Sequence, residues 1–189
     1  MSMANGQTGE CPRLSFGAEW GYIGTFYSGY HFNFFAPEGY RVDPRGYGFG
    51  YSDNAETYVN IGYNLNTRLN IALYMGFSAI ETYHHTIPVS LRLTRCFRED
   101  CSQDCWFAFV DLGSGISLKK HPQEILTGKI GGGYRLSLNR RTKLDFIVAL
   151  RSAYTHPDIE YYGVPIPHES INRSNAYISA VSLGMAITL

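Results

Sequence analysis

The chain predicts an all-β fold, an eight-stranded antiparallel up-and-down transmembrane β-barrel, on three observations. Apolar residues recur with a period of two in eight separate runs. The connections between those runs alternate in length. The polar side of the runs is built from Gly, Ala, Ser and Asn, whereas a solvated surface is rich in Lys and Glu.

The first run, 13–24, sets Ser15, Gly17, Glu19 and Gly21 against Trp20 and Tyr22. Residues 56–65 set Glu56, Tyr58, Asn60, Gly62 and Asn64 against Val59, Ile61 and Tyr63, and 68–80 follow with Leu69, Ile71, Leu73, Met75 and Phe77 on the apolar side. Asn66-Thr67 reverses the chain between them, because Asn tolerates the left-handed backbone of a tight hairpin. Strands at 87–96 and 106–116 carry Arg92 and Asp111 among Val89, Leu91, Leu93 and Val110. Strands at 125–137 and 143–153 present Lys129, Gly131, Gly133, Arg135, Lys143, Asp145 and Arg151 on the polar side. The last run, 175–189, places Ala180, Ser182, Gly184, Ala186 and Thr188 opposite Val181, Leu183, Met185 and Ile187. Each run has about the 9 to 11 residues, or somewhat more, that cross a bilayer at a steep tilt.

The first, third, fifth and seventh runs are followed by 25–55, "ETYHHT", "SLKKHPQE" and 154–174; the second, fourth and sixth by Asn66-Thr67, "FREDCSQDC" and "NRRT". In a meander, odd and even connections fall at opposite ends. Long loops outside and short turns on the periplasmic side are the pattern of outer-membrane barrels.

The bulk numbers agree. At 189 residues the chain fits one domain, taken as 13–189 behind a periplasmic segment 1–12. Charged residues make up 17% of it, where soluble domains carry about 25%. Lys plus Arg and Asp plus Glu balance at 16 each, which removes any global argument for a nucleic-acid partner. No run of 18 apolar residues supplies a transmembrane helix, and "MSMANGQTGEC" lacks the apolar core of a signal peptide.

Which face meets water decides the class. A soluble lipocalin-like barrel hides the apolar set inside, as does an ordinary β-sandwich; a membrane barrel reverses this. Small residues suit the cramped lumen of eight strands. On the apolar face, Tyr63, Trp106, Tyr134 and Phe146 fall toward the short-turn end and Trp20, Tyr22, Phe77 and Tyr177 toward the loop end, as two interfacial aromatic girdles would. The polar set is therefore expected inside.

With these residues in view, "YNLNTRLNIALYMGFS", "IPVSLRLTR", "GGGYRLSLNRRTKLDFIVALR" and the closing "AYISAVSLGMAITL" resemble the small eight-stranded outer-membrane β-barrels of Bacteroidetes-type bacteria, in the broad OmpA-like and porin-family group. The resemblance implies an outer-membrane location, contact with outer-membrane lipid including lipopolysaccharide, and architecture more than activity. That family usually closes on an aromatic residue, whereas this chain closes on Leu189.

Inward parity gathers Glu19, Glu56, Asp111, Asp145, Arg68, Arg92, Lys129, Arg135, Lys143 and Arg151. Buried ions must pair. Glu19, Arg92, Asp111, Arg135, Asp145 and Arg151 are expected to form a network that plugs the lumen; the alternative is a narrow gated pore in which Glu19 and Asp111 exchange partners among Arg92, Arg135 and Arg151.

Cys11, Cys96, Cys101 and Cys105 all fall at the short-turn end, and an even count at an oxidising face suggests two disulfides of open pairing, with free thiols as the alternative. Their spacing lacks the CxxC knuckle of zinc sites, so no metal and no cofactor is expected. The histidines, His31, His84, His85, His121, His156 and His168, are loop-side and read as solvated. His168 and Ser170 form an H-x-S similar to the His and Ser of outer-membrane lipid A deacylases, where His removes the Ser proton and an acid orients the imidazole. On an extended segment the two would share a face, but no acidic residue follows Ser170.

The Tyr/Phe/Gly-rich stretch 25–55 is the other candidate site, for glycan, lipopolysaccharide or host surface. Three functions stand together: a monomeric non-enzymatic outer-membrane barrel acting through its outer loops, a lipid A deacylase-like esterase, and a soluble carrier of an apolar ligand.

Overall fold

A computed structural model describes residues 12–80, 84–98, 103–117, 124–139 and 141–189. Eight strands wind up and down into a closed barrel: β1 (Leu14–Phe35), β3 (Arg45–Asn64), β4 (Leu69–Ile80), β5 (His84–Cys96), β6 (Cys105–Ser117), β7 (Glu124–Ser137), β8 (Lys143–Thr155) and β11 (Ile171–Thr188). Each pairs antiparallel with its neighbour in sequence, and β1 pairs with β11 to close the wall. Closure leaves no unpaired sheet edge around the wall. The short strands β2 (Arg41–Val42), β9 (Glu160–Tyr161) and β10 (Val164–Pro165) are additions at the loop end.

Side-chain parity follows the pleat. Ser15, Glu19, Glu56, Tyr58, Arg92, Asp111, Lys129, Asp145, Arg151 and Ser182 are buried, while Val59, Leu91, Val110, Ile130, Val148, Leu150 and Leu183 are exposed. The polar set is inside and the apolar set outside, so neither the β-sandwich nor a carrier with an apolar interior describes this chain. Arg68 departs from its expected inward position: it is exposed in the turn at the rim of the lumen.

Small residues bring the walls close. At Gly133 an added Cβ would collide with the Phe146 carbonyl and with the Phe107 ring that fills the lumen beside it. At the β3–β4 turn, Asn66 Oδ1 accepts the backbone N–H groups of Arg68 and Leu69, each at 2.8 Å. Asn139 does the same at the β7–β8 turn for Arg141 and Thr142, at 2.8 and 2.7 Å. Asn therefore acts here through its side-chain oxygen and not through a left-handed backbone, since among the described residues Tyr162 alone of the non-glycines has a positive φ.

The largest difference from the expected elements lies in 25–55. Most of it is strand: β1 and β3 stay paired as far as His31 opposite Arg45, and β1 pairs with β11 as far as Phe34 opposite Ile171. One side of the barrel thus rises well above the rest. Against its top, the β9–β10 hairpin turns at Tyr162 and Gly163, and Phe34, Ile159 and Ile166 form a small buried cluster flanked by Val42 and Tyr161.

Candidate functional site

The lumen is built from a row of inward charges on four adjacent strands. The register sets Arg92 of β5 opposite Asp111 of β6, Asp111 opposite Lys129 of β7, and Lys129 opposite Arg151 of β8. The first two steps are attractive; the third sets two cations side by side, which is destabilising unless an anion intervenes. Two glutamates from the facing wall complete the row.

Glu19 of β1 accepts both terminal nitrogens of Arg92, Nη1 to Oε2 at 2.5 Å and Nη2 to Oε1 at 3.1 Å, while Arg92 Nε donates to Asp111 Oδ2 at 2.9 Å. The same guanidinium lies over the rings of Tyr74 and Phe109, at 3.9 and 4.4 Å from their centroids. Glu56 of β3 stands between the two adjacent cations. Its Oε2 accepts from Lys129 Nζ at 2.8 Å, Arg151 Nη1 at 3.0 Å and Tyr58 OH at 3.1 Å, and its Oε1 from Ser182 Oγ at 2.7 Å. Nearer the short-turn end, Arg135 and Asp145 form a two-bond pair, both at 2.7 Å. Desolvated charges of this kind hold only when their hydrogen bonds are nearly all satisfied.

The expected network is thus divided. Glu19, Arg92 and Asp111 come together; Arg135 and Asp145 pair with each other; Arg151 joins neither group and binds Glu56. Glu56 and Lys129, read as inward but left out of the network, carry half of it. The register of β6 through β8 was the signal for Lys129, whereas nothing along the chain places Glu56 across the lumen from Arg151. Interior space is small: a cavity of about 40 Å³ lies among Asn60, Tyr74, Arg92, Phe107 and Asp145, room for a few waters at about 10 to 15 Å³ each and far short of a continuous channel.

His168 and Ser170 occupy a single 3₁₀ turn, not an extended segment. At 3.0 residues per turn, positions two apart point about 120° away from each other. His168 lines an outer groove with His156, Asp158 and Arg173, and Ser170 does not. Cys96 and Cys105 are free thiols facing the lumen at the short-turn end; Cys11 and Cys101 lie outside the described residues, as do His121, most of the segment 1–12 and the side chains of His84 and His85.

On the raised side of the barrel, Tyr27, Phe49 and Tyr177 pack edge to face on the outer surface, with centroids 5.4 and 6.3 Å from Tyr27. Above them His31 Nε2 meets Asp43 Oδ1 at 2.9 Å, Arg45 meets Asp43 at 3.2 Å, and Arg173 Nη1 approaches His31 Nδ1 at 3.3 Å. The hydrogen bond from His31 holds the Asp43 carboxyl below its ordinary value, with Asn33 and Arg45 acting in the same direction against some desolvation.

No family model matches the chain, and no curated protein matches it. Among solved structures it is similar to the outer membrane protein OprG from Pseudomonas aeruginosa, with 8% identity over 95% of this chain and 98% of that one at a TM-score of 0.53. It is also similar to Neisserial surface protein A, with 12% identity over 93% and 96% at 0.50. The N-terminal β-barrel domain of Pseudomonas aeruginosa OprF aligns over 92% and 97% with 13% identity at 0.47. At such identities the likeness to the first two concerns the fold alone, a β-barrel shared from end to end.

Proposed function

We propose that the chain is a bacterial outer-membrane β-barrel protein without enzymatic activity, its lumen plugged by ion pairs and its raised outer side serving as a contact surface. The observation that carries this is the outward apolar band. Val59, Leu73, Met75, Leu91, Leu112, Ile130, Val148 and Leu150 are each 45 to 66% exposed and form contiguous cross-strand rows. A soluble protein has no use for such a belt, since exposed apolar patches beyond a few hundred Å² draw proteins into association. Lipid tails remove that penalty. Aromatics edge the band: Trp106, Tyr134 and Phe146 sit side by side in register, with the Trp106 and Tyr134 rings 4.9 Å apart.

The contact surface rests on the raised side. Arg45, Arg173 and His31 lie on the outward face beyond Tyr27, Phe49 and Tyr177, so an aromatic row at headgroup depth is followed outward by cationic side chains. That order suits the phosphate groups of outer-leaflet lipid such as lipopolysaccharide. The likeness to OprG and Neisserial surface protein A supports the barrel on which this reading stands.

Fractionation tests it. The chain expressed in a Gram-negative host should stay with the membrane after carbonate washing, enter detergent, and migrate faster on gels unheated than boiled. Release into buffer without detergent, as a folded monomer, would overturn the membrane reading. Arg45→Ala with Arg173→Ala should weaken retention of lipopolysaccharide by the purified barrel while leaving the heat-modifiable migration intact.

A further inference from the structure

At the short-turn end, below the Arg135–Asp145 pair, a cavity of about 20 Å³ is walled by Cys96, Cys105, Arg68, Arg98, Arg135 and Lys143 among others. Cys96 is the last residue of β5 and Cys105 the first of β6. Cys96 stands opposite Phe107, so Cys105 is its diagonal neighbour on the same, inward face, and the Phe97 N–H to Trp106 carbonyl bond at 3.0 Å holds the ladder between them. Arg135 Nη1 lies 3.7 Å from Cys96 Sγ. Cys96 is half-buried and Cys105 buried.

Among the described residues the charges that border the cavity are one-sided, and Asp104, next to Cys105, is engaged by the Ser137 N–H. Arg68, Arg98, Arg135 and Lys143 border the cavity; the carboxylate close by, Asp145, is already held by two bonds to Arg135. Cationic surroundings favour the thiolate, which is the attacking form in disulfide exchange, and a second thiol within reach is what resolves the product.

We propose that Cys96 and Cys105 are a redox-active pair that exchanges with incoming disulfides and, when oxidised, clips the last turn of β5 to the start of β6. The Cys96 thiolate attacks one sulfur of a small-molecule disulfide; the S–S bond breaks, and one thiolate departs and takes a proton from water. The Cys105 thiol then loses its proton to water and attacks Cys96 Sγ, forming the Cys96–Cys105 bond and expelling the second thiolate. Two electrons pass from the cysteine pair to the incoming disulfide, which leaves as two thiols. Diagonal partners sit about 7 to 8 Å apart, a little beyond the usual span of a disulfide. Closing the pair therefore strains the turn and leaves the bond easily reduced, so it is a reversible clip and not a permanent staple.

The inference does not depend on the membrane reading, since it concerns one end of the barrel in whatever medium surrounds it. Its test uses the full chain, folded in detergent, reduced and then exposed to oxidised glutathione. Thiols are counted by maleimide mass shift and linked peptides mapped by mass spectrometry. The expected result is a Cys96–Cys105 link that reduced glutathione reopens while the heat-modifiable migration is unchanged. In Cys105→Ser, Cys96 should accumulate as a mixed disulfide with glutathione, because the resolving thiol is gone. Pairing of Cys96 with Cys11 or Cys101, a Cys96–Cys105 link that resists reduced glutathione, or failure of Cys105→Ser to trap glutathione at Cys96 would each overturn it.

Discussion

Glu56→Gln removes one charge from the centre of the lumen and almost no volume. In the wild type, Glu56 accepts four hydrogen bonds, two of them from Lys129 and Arg151, which the β7–β8 register holds opposite each other. The amide keeps one acceptor oxygen but presents an NH2 group to at least one of those donors, and the two cations lose the anion between them. All three side chains are buried. Deleting one partner of a buried ion pair costs about 3 to 5 kcal/mol, because the remaining charge is stranded. Here two cations are stranded, so the upper part of that range is expected. Replacing the whole group, Glu56→Gln with Lys129→Met and Arg151→Met, removes the stranded charges and should restore most of the loss, since apolar replacements of buried ion groups are often neutral or better. Arg45→Met, at an exposed pair, should leave stability indistinguishable from wild type. Urea titration in detergent micelles, followed by the fluorescence of Trp20 and Trp106 and by gel migration, measures all three. The reasoning is refuted if Glu56→Gln lies within about 1 kcal/mol of wild type, or if the triple variant is no more stable than the single one.

Leu150→Arg, in the outward band of β8, should cost about 2 to 4 kcal/mol in a bilayer if the band lies at the midplane, whereas Leu138→Arg in the exposed β7–β8 turn should cost little; equal effects at the two positions, read by urea unfolding in liposomes, would contradict the facing. In planar bilayers the wild type should pass no sustained open-channel current, because the lumen cavity among its ion pairs is about 40 Å³; a stable conductance would replace the plug with the pore. Asp43 should titrate below its ordinary value of 3.8, because the His31 hydrogen bond favours its ionised form. A carboxylate with a lowered folded pKa contributes stability above its unfolded pKa and loses it as pH falls through the folded value, so the His31–Asp43 contact should persist at pH 4 and disappear in more acid solution. Carboxyl NMR of Asp43 checks this, and a midpoint at or above 3.8 would count against it.

The legible part of this protein lay in local alternation. Val59 and Ile61 against Tyr58 and Asn60, or Val148 and Leu150 against Asp145 and Arg151, state the period and the two faces wherever those faces meet unlike surroundings. Where both faces of a strand lack that contrast, the signal fades. Residues 45–55 carry Gly, Tyr and Phe with little difference between sides, and Tyr47, Phe49 and Tyr51 are all far out in the open, so a paired strand there reads as a loop. The 3₁₀ turn at His168–Ser170 was hidden for a related reason. Pro167 and the short H-x-S carry no period at all, and it is the packing of Ile159 and Ile166 on Phe34 that anchors the segment leading into the turn.

By itself the sequence determined the number of barrel strands, the inward parity of the charges within them, and the small residues that let the walls approach, because each depends on neighbours two residues away on one strand; Arg68, read as inward, lies in the turn before β4 and is exposed. Only the tertiary structure decided partners. Whether Arg151 meets Glu19, Asp111 or Glu56 depends on how the strands stagger as the sheet closes, and Glu56 lies 95 residues away from it along the chain. Closure also brings Glu19 to Arg92 across 73 residues. Strand tilt and stagger are properties of the whole ring, fixed only when β11 finds β1, and so no single strand carries them.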